Sequence, residues 1–146
     1  MEGYFTPITR HQAEDGFTLA ALTSYGSLFA VGAGISWEIA EKRLRTLIFD
    51  SMAAAAEHGD PAFDVLSYGQ APGQNCLLWT IRDLFPILLR QYRHAQKLTQ
   101  ADVARRMGIK QAVYAKLERL GANPTLDTVH RLETALDQNL IFQPVP

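Results

Sequence analysis

Leu98-Thr-Gln-Ala-Asp-Val-Ala-Arg-Arg-Met-Gly-Ile-Lys-Gln-Ala-Val-Tyr-Ala-Lys-Leu-Glu-Arg119 reads as two short helices joined by a glycine turn. Thr99 is placed to cap the first helix, its hydroxyl accepting from a free backbone N–H, and Asp102 at the third helical position makes a variant of the capping box. Val103, Ala104 and Met107 form an apolar stripe, and Gly108 stands where the chain needs a positive φ to leave the helix. The second helix should turn Val113, Tyr114 and Leu117 inward, leaving Gln111, Ala112, Ala115 and Lys116 on the opposite face. Glutamine, small residues and lysine on an exposed helix suit the base edges and phosphates of duplex DNA.

Working outward, residues 84–140 resemble the Cro/C1-type (XRE) helix-turn-helix domain with its five-helix outline. The matching positions are Leu98-Thr99-Gln100, Ala104, Met107-Gly108, Gln111, Leu117-Glu118, Asn123-Pro124-Thr125-Leu126 and Leu132 with Ala135-Leu136. The resemblance implies helices over roughly 84–96, 100–107 and 111–119, and a fourth starting near Thr125 with Leu140 just past its last turn. It also implies that Gln100 contacts the DNA backbone and that Lys110, Gln111, Ala112, Ala115 and Lys116 open onto bases. Arg119, Arg90, Arg93, Lys97, Lys110 and Lys116 are candidates for phosphate contacts, whereas Arg105 and Arg106 read equally well as contacts or as residues turned away. One offset departs from the family pattern: Glu118-Arg119-Leu120-Gly121 has its glycine one residue late.

Charge is divided in a way that agrees. Residues 81–146 hold ten Lys/Arg against six Asp/Glu, and residues 1–80 hold four against nine, so a net of −1 hides a basic half and an acidic half. A basic half suggests nucleic acid. A homodimer would double the positive face and set two recognition helices about one helical turn apart, ~34 Å, on double-stranded operator DNA.

The chain of 146 residues, 47% of them hydrophobic, can bury one core or two small ones. No apolar run approaches the ~18–20 residues needed to span a bilayer. The N-terminus lacks the basic and apolar regions of a secretory signal, and Cys76 has no partner for a disulfide or a metal cluster. A reduced, cytoplasmic protein without cofactor or metal is expected.

The first half has its own pattern. Tyr4–Arg10, Phe17–Thr23 and Leu28–Val31 read as strands, with Pro7 pointing to an edge or bulge, Asp15-Gly16 to a hairpin turn and Ser24-Tyr25-Gly26 to a loop. A helix capped by Ser36 should bury Trp37, Ala40, Leu44, Leu47, Ile48 and Met52 and stop at His58-Gly59-Asp60-Pro61, before a strand over Phe63–Ser67. The fold class expected is α+β: a small antiparallel sheet covered by one helix, followed by an all-α helix-turn-helix domain. The expected division is 1–67, a linker over 68–82, and 83–146. Cys76–Ile81 reads as a short strand or an extended lead into a helix capped by Asp83, and either joins a dimer interface or packs on the C-terminal core. The tail over residues 140–145 also has strand character.

This first-half arrangement resembles the HicB antitoxin domain, a partial RNase H-like fold that neutralises the HicA ribonuclease. The residues carrying it are Asp15-Gly16, Gly34-x-Ser36, Ala40 and Gly59-x-Pro61. The resemblance implies a small basic RNase toxin as partner and autorepression of the operon. The other reading is a Cro/C1-type regulator whose first half dimerises or senses a ligand. RNase H chemistry needs several carboxylates converging on metal ions, and the three expected strands carry none, so a binding scaffold rather than an enzyme is expected.

Overall fold

In a computed structural model of the chain, the structure describes residues 2–23 and 26–140. The described residues form strands β1 (Glu2–Ala13), β2 (Gly16–Leu22) and β3 (Leu28–Gly34), helix α1 (Trp37–His58), strands β4 (Ser67–Gln70) and β5 (Cys76–Trp79), and helices α2 (Ile81–Ala95), α3 (Gln100–Met107), α4 (Gln111–Ala115) and α5 (Leu126–Leu136). This is the α+β order expected. Two compact units emerge: residues 1–54 with 61–80, and residues 55–60 with 81–146. Ser24, Tyr25 and the tail from residue 141, read above as loop and strand, lie outside the described residues.

In the first unit every pairing is antiparallel, in the order β3-β2-β1-β4, with β5 also paired to β1. The long β1 changes partners along its length. Residues 2–5 pair with β4, residues 4–7 with β5, and residues 8–13 with β2. Pro7 therefore sits inside a central strand rather than at an edge. Its missing N–H falls where one partner ends and the next begins, which is how the strand tolerates it. The hairpin connection is Glu14–Asp15, because Gly16 already pairs with Ala13. β1 also reaches back to Glu2, so the strands are not free of acids, although Glu2 is exposed.

The segment read as a linker carries two strands. β4 begins at Ser67, and the expected strand over Phe63–Ser67 is mostly turns. β5 buries Cys76, Leu77 and Trp79, and the Trp79 indole donates to the Thr6 hydroxyl at 2.9 Å with both side chains buried. Cys76–Trp79 is thus a strand of the first unit's sheet.

α1 starts where Ser36 Oγ accepts from the Ile39 N–H at 3.2 Å. Its inward stripe is Ala40, Leu44, Ile48 and Met52, joined by Phe49 and Ala53. Leu47 does not belong to it and is 48% exposed, while Trp37 is half-buried, its ring edge-on to Phe17 at 4.8 Å with the Arg10 guanidinium over it at 5.4 Å. The helix meets β3 at Gly32. A Cβ there would come within 2.4 Å of the Ala40 carbonyl oxygen and 2.7 Å of Leu44.

The second unit packs Phe85, Leu89, Val103, Met107, Tyr114, Val129, Leu132 and Leu136 into one core that also takes in Leu140. α2 starts at Ile81, which places Asp83 in its first turn instead of at the cap. Of the five-helix outline, the described residues supply four α-helices and a 3-10 turn. Among the described residues, no helix is long and apolar enough to cross a membrane.

Candidate nucleic-acid interface

The two central helices are set by local chemistry. Thr99 Oγ1 accepts from the Asp102 N–H at 3.1 Å and the Asp102 carboxylate accepts from the Thr99 N–H at 2.8 Å, a complete capping box. These bonds from Thr99, backbone first, hold the Asp102 carboxyl below its usual range. Thr99→Ala should lower stability by ~1 kcal/mol, read from the helix signal in urea unfolding. At the other end Gly108 takes a left-handed φ of 67°, and the Ile109 N–H reaches the Ala104 carbonyl at 3.0 Å. The pattern closes α3 and turns the chain directly into α4.

α4 is short, and residues 116–118 continue it as a 3-10 turn. The chain then extends through Arg119, and the Ala122 N–H bonds the Arg119 carbonyl at 3.0 Å with Gly121 at φ 84°. That is a β-turn needing glycine at its third position. The late glycine therefore serves a turn after the helix and not the helix cap. Thr125 then caps α5, accepting from the Thr128 N–H at 3.2 Å.

Beneath α4 lies a buried polar cluster that the sequence did not announce. Glu118 is fully buried. Its carboxylate accepts from Arg93 at 2.6 and 3.0 Å, from the Tyr114 hydroxyl at 2.7 Å and from the Gln100 amide at 2.9 Å. Arg90 donates to the Glu118 carbonyl at 2.8 Å, and Arg93 also donates to the Leu98 carbonyl at 3.1 Å. Glu57, in the last turn of α1, accepts from Arg93 and from Arg90.

Burial alone would raise the Glu118 carboxyl, but the bonds from Arg93, Tyr114 and Gln100 outweigh it and hold the group below the usual carboxylate range. Burial, reinforced by the neighbouring Glu118 charge, pushes the Tyr114 hydroxyl above its usual range. Both carboxylate oxygens of Glu118 are used, which is what makes a buried charge tolerable.

The structure revises three expectations here. Arg93 is buried and Arg90 half-buried, both held by carboxylates and carbonyls, so neither presents its guanidinium as a surface phosphate contact. Gln100 is half-buried and its amide is committed to Glu118. Val113, expected inside, is 50% exposed, because a helix this short turns only Tyr114 fully inward.

What stays on the surface is a compact set. Lys110, Gln111, Ala112, Lys116 and Arg119 are exposed, Ala115 is half-buried, and Lys97 stands exposed at the α2–α3 connection with φ 56°. Arg105 is exposed and bonded to Asp102 at 3.3 Å, while Arg106 donates to the Ala135 carbonyl at 3.1 Å.

A capped helix, a glycine turn and a second helix with its inner face locked and its outer face open make up a recognisable unit. Residues 89–142 match the Helix-turn-helix family. The second unit thus carries a Cro/C1-type helix-turn-helix, the DNA-binding module of transcription regulators. In it α3 and α4 are the paired helices, and Thr99, Gly108 and Glu118 are the residues that set their geometry. No curated protein matches the chain.

Proposed function

We propose that the protein is a sequence-specific, cytoplasmic transcription regulator that binds operator DNA as a homodimer through the outer face of α4. The supporting observation is the contrast across that helix. Tyr114 and Glu118 are locked in the core, while Lys110, Gln111, Ala112, Lys116 and Arg119 face solvent with no hydrogen bond from their side chains among the described residues. Rigid backbone below and solvent-facing donors above suit direct readout in a major groove, because no contact within the protein has to break when the helix docks.

In this reading Gln111 reads a base edge, Ala112 and Ala115 allow close approach, and Lys110, Lys116 and Arg119 contact phosphates. Gln100 acts through Glu118, positioning α4. Gln111→Ala should cost ~1–3 kcal/mol on the cognate site and relax discrimination at one base position. An equal loss on all sequences, measured by fluorescence anisotropy, would remove Gln111 from base readout. Lys116→Ala should weaken binding evenly across sequences and reduce the slope of log K against log salt by about one unit. An unchanged slope would take Lys116 off the backbone.

A finer reading assigns the first unit to a small basic RNase toxin, making the protein a HicB-like antitoxin that represses its own operon. Two observations favour it over a regulator without a toxin: the β-β-β-α-β order with a Ser36-capped helix, and the nine acids against four bases in residues 1–80. The division of labour is a partner-binding first half and a DNA-binding second half, with no catalytic role. Co-expression of the full chain with a small basic protein encoded beside it tests this. Rescue of growth and co-purification support it. Toxicity unrelieved by the full chain defeats it, leaving the DNA-binding reading untouched.

A further inference from the structure

β3 is an edge strand: among the described residues it pairs only with β2. Between its open edge and α1 runs a groove of about 700 Å³ whose lining includes Val31, Ala33, Ile39, Lys42, Arg43 and Leu47. Leu47 is 48% exposed on the α1 wall, and Val31, 42% exposed, alternates with Gly32, whose Cβ position faces α1, so its side chain lies on the opposite face of the strand. The Ala33 carbonyl faces away from β2, since the Arg43 guanidinium donates to it at 2.7 Å. Backbone groups alternate along a strand, so the N–H and C=O of Val31 face the same open edge.

The charge of this groove runs against its surroundings. Residues 1–80 hold four Lys/Arg against nine Asp/Glu. Of those four, Arg10 lies over Trp37, and Arg45 is bound to Glu41 at 2.9 Å and to the Leu78 carbonyl at 2.8 Å. The other two, Lys42 and Arg43, both line the groove. This acidic stretch thus places Lys42 and Arg43, its two basic residues with no carboxylate or ring partner among the described residues, beside an unpaired strand with an exposed apolar side chain on either face.

We infer that the β3 edge is a docking groove for an extended partner segment that alternates apolar and carboxylate side chains and adds to the sheet as a further strand. Main-chain bonds to β3 hold the segment, its carboxylates on the face turned to α1 meet Lys42 and Arg43, and its apolar side chains on the opposite face sit against Val31. Arg43 serves both states. Unoccupied, it covers the Ala33 carbonyl and blunts an edge that would otherwise invite indiscriminate pairing. Occupied, an incoming N–H takes that carbonyl, and the released guanidinium pairs with a carboxylate. The inference is independent of the toxin and DNA readings.

The test uses the full-length protein and fluorescein-labelled eight-residue peptides followed by anisotropy. One peptide alternates valine with glutamate, one alternates valine with lysine, and a third is the glutamate peptide methylated on alternate backbone nitrogens. The glutamate peptide should bind at least tenfold tighter than either of the others. Lys42→Glu should weaken it at least tenfold while circular dichroism and DNA binding stay unchanged. Equal binding of both charges, indifference to methylation or to Lys42→Glu, or no binding at all overturns the inference. Self-association of the chain that Leu47→Glu abolishes would hand the groove to a second copy and overturn it as well.

Discussion

Glu118→Ala is expected to lower the stability of the C-terminal unit by about 3 kcal/mol, the range for removing one partner from a buried ion pair. The substitution strips Arg93 of both its contacts to the Glu118 carboxylate, leaves the buried Tyr114 hydroxyl and the Gln100 amide without their acceptor, and opens a void under α4. Arg93 keeps Glu57 and the Leu98 carbonyl, which places the loss at the lower end of the ~3–5 kcal/mol range. Helix ellipticity during urea unfolding of the full chain reports it. A loss under 1 kcal/mol would show that the cluster is not what holds the helix.

The same cluster predicts a pH dependence with a definite sign. Glu118 titrates lower in the folded chain than in the unfolded one. Its contribution is therefore present in full above the ordinary carboxylate value, ~4.3, and is lost as pH falls below it through the depressed folded value. Glu118→Gln removes that term, so its stability should fall less steeply than the parent's below about pH 4.5. Parallel acid profiles would remove Glu118 as the source.

Gly32→Ala should destabilise the N-terminal unit by about 3 kcal/mol, the upper range for overpacking. The added methyl would lie 2.4 Å from the Ala40 carbonyl oxygen and 2.7 Å from the Leu44 nitrogen, which are backbone atoms of a helix and cannot step aside as a flexible side chain would. Helix and sheet must separate to admit it. Gly3→Ala is the matched control, since nothing lies within 4 Å of its added carbon, and should stay within about 0.5 kcal/mol. The two tryptophans, Trp37 and Trp79, both belong to this unit, so their fluorescence reads its unfolding. If Gly32→Ala and Gly3→Ala shift the midpoint equally, the close approach of α1 to β3 is not what the glycine serves.

Legibility in the sequence followed the range of the interaction. α3 runs from Gln100 to Met107 as expected because both of its stops, the Thr99 box and the Gly108 turn, are made by residues within a few positions. The start of α1 was readable for the same reason, from Ser36. β4 and β5 were missed or left open because what makes them strands is β1, some seventy residues earlier; the Thr6–Trp79 bond is a contact no local window contains.

The interface divided along the same line. Gln111, Ala112 and Lys116 are exposed as helical spacing suggested, and so are Lys110 and Arg119. Arg90, Arg93 and Gln100 look like surface residues by composition, and only the fold brings Glu118 and Glu57 beside them. Val113 and Leu47 failed for another reason. An apolar residue on a helix is counted as inward by periodicity, but whether anything covers it is decided elsewhere.

The acid that completes the arginine cluster sits at position 57, upstream of the whole region recognised as DNA-binding. A fragment trimmed to start at the first residue of α2 would discard it. The reading head is therefore not a cassette: shuffling a different front half onto it, by recombination or by cloning, would have to carry residues 55–60 along or leave Arg93 short of a counterion.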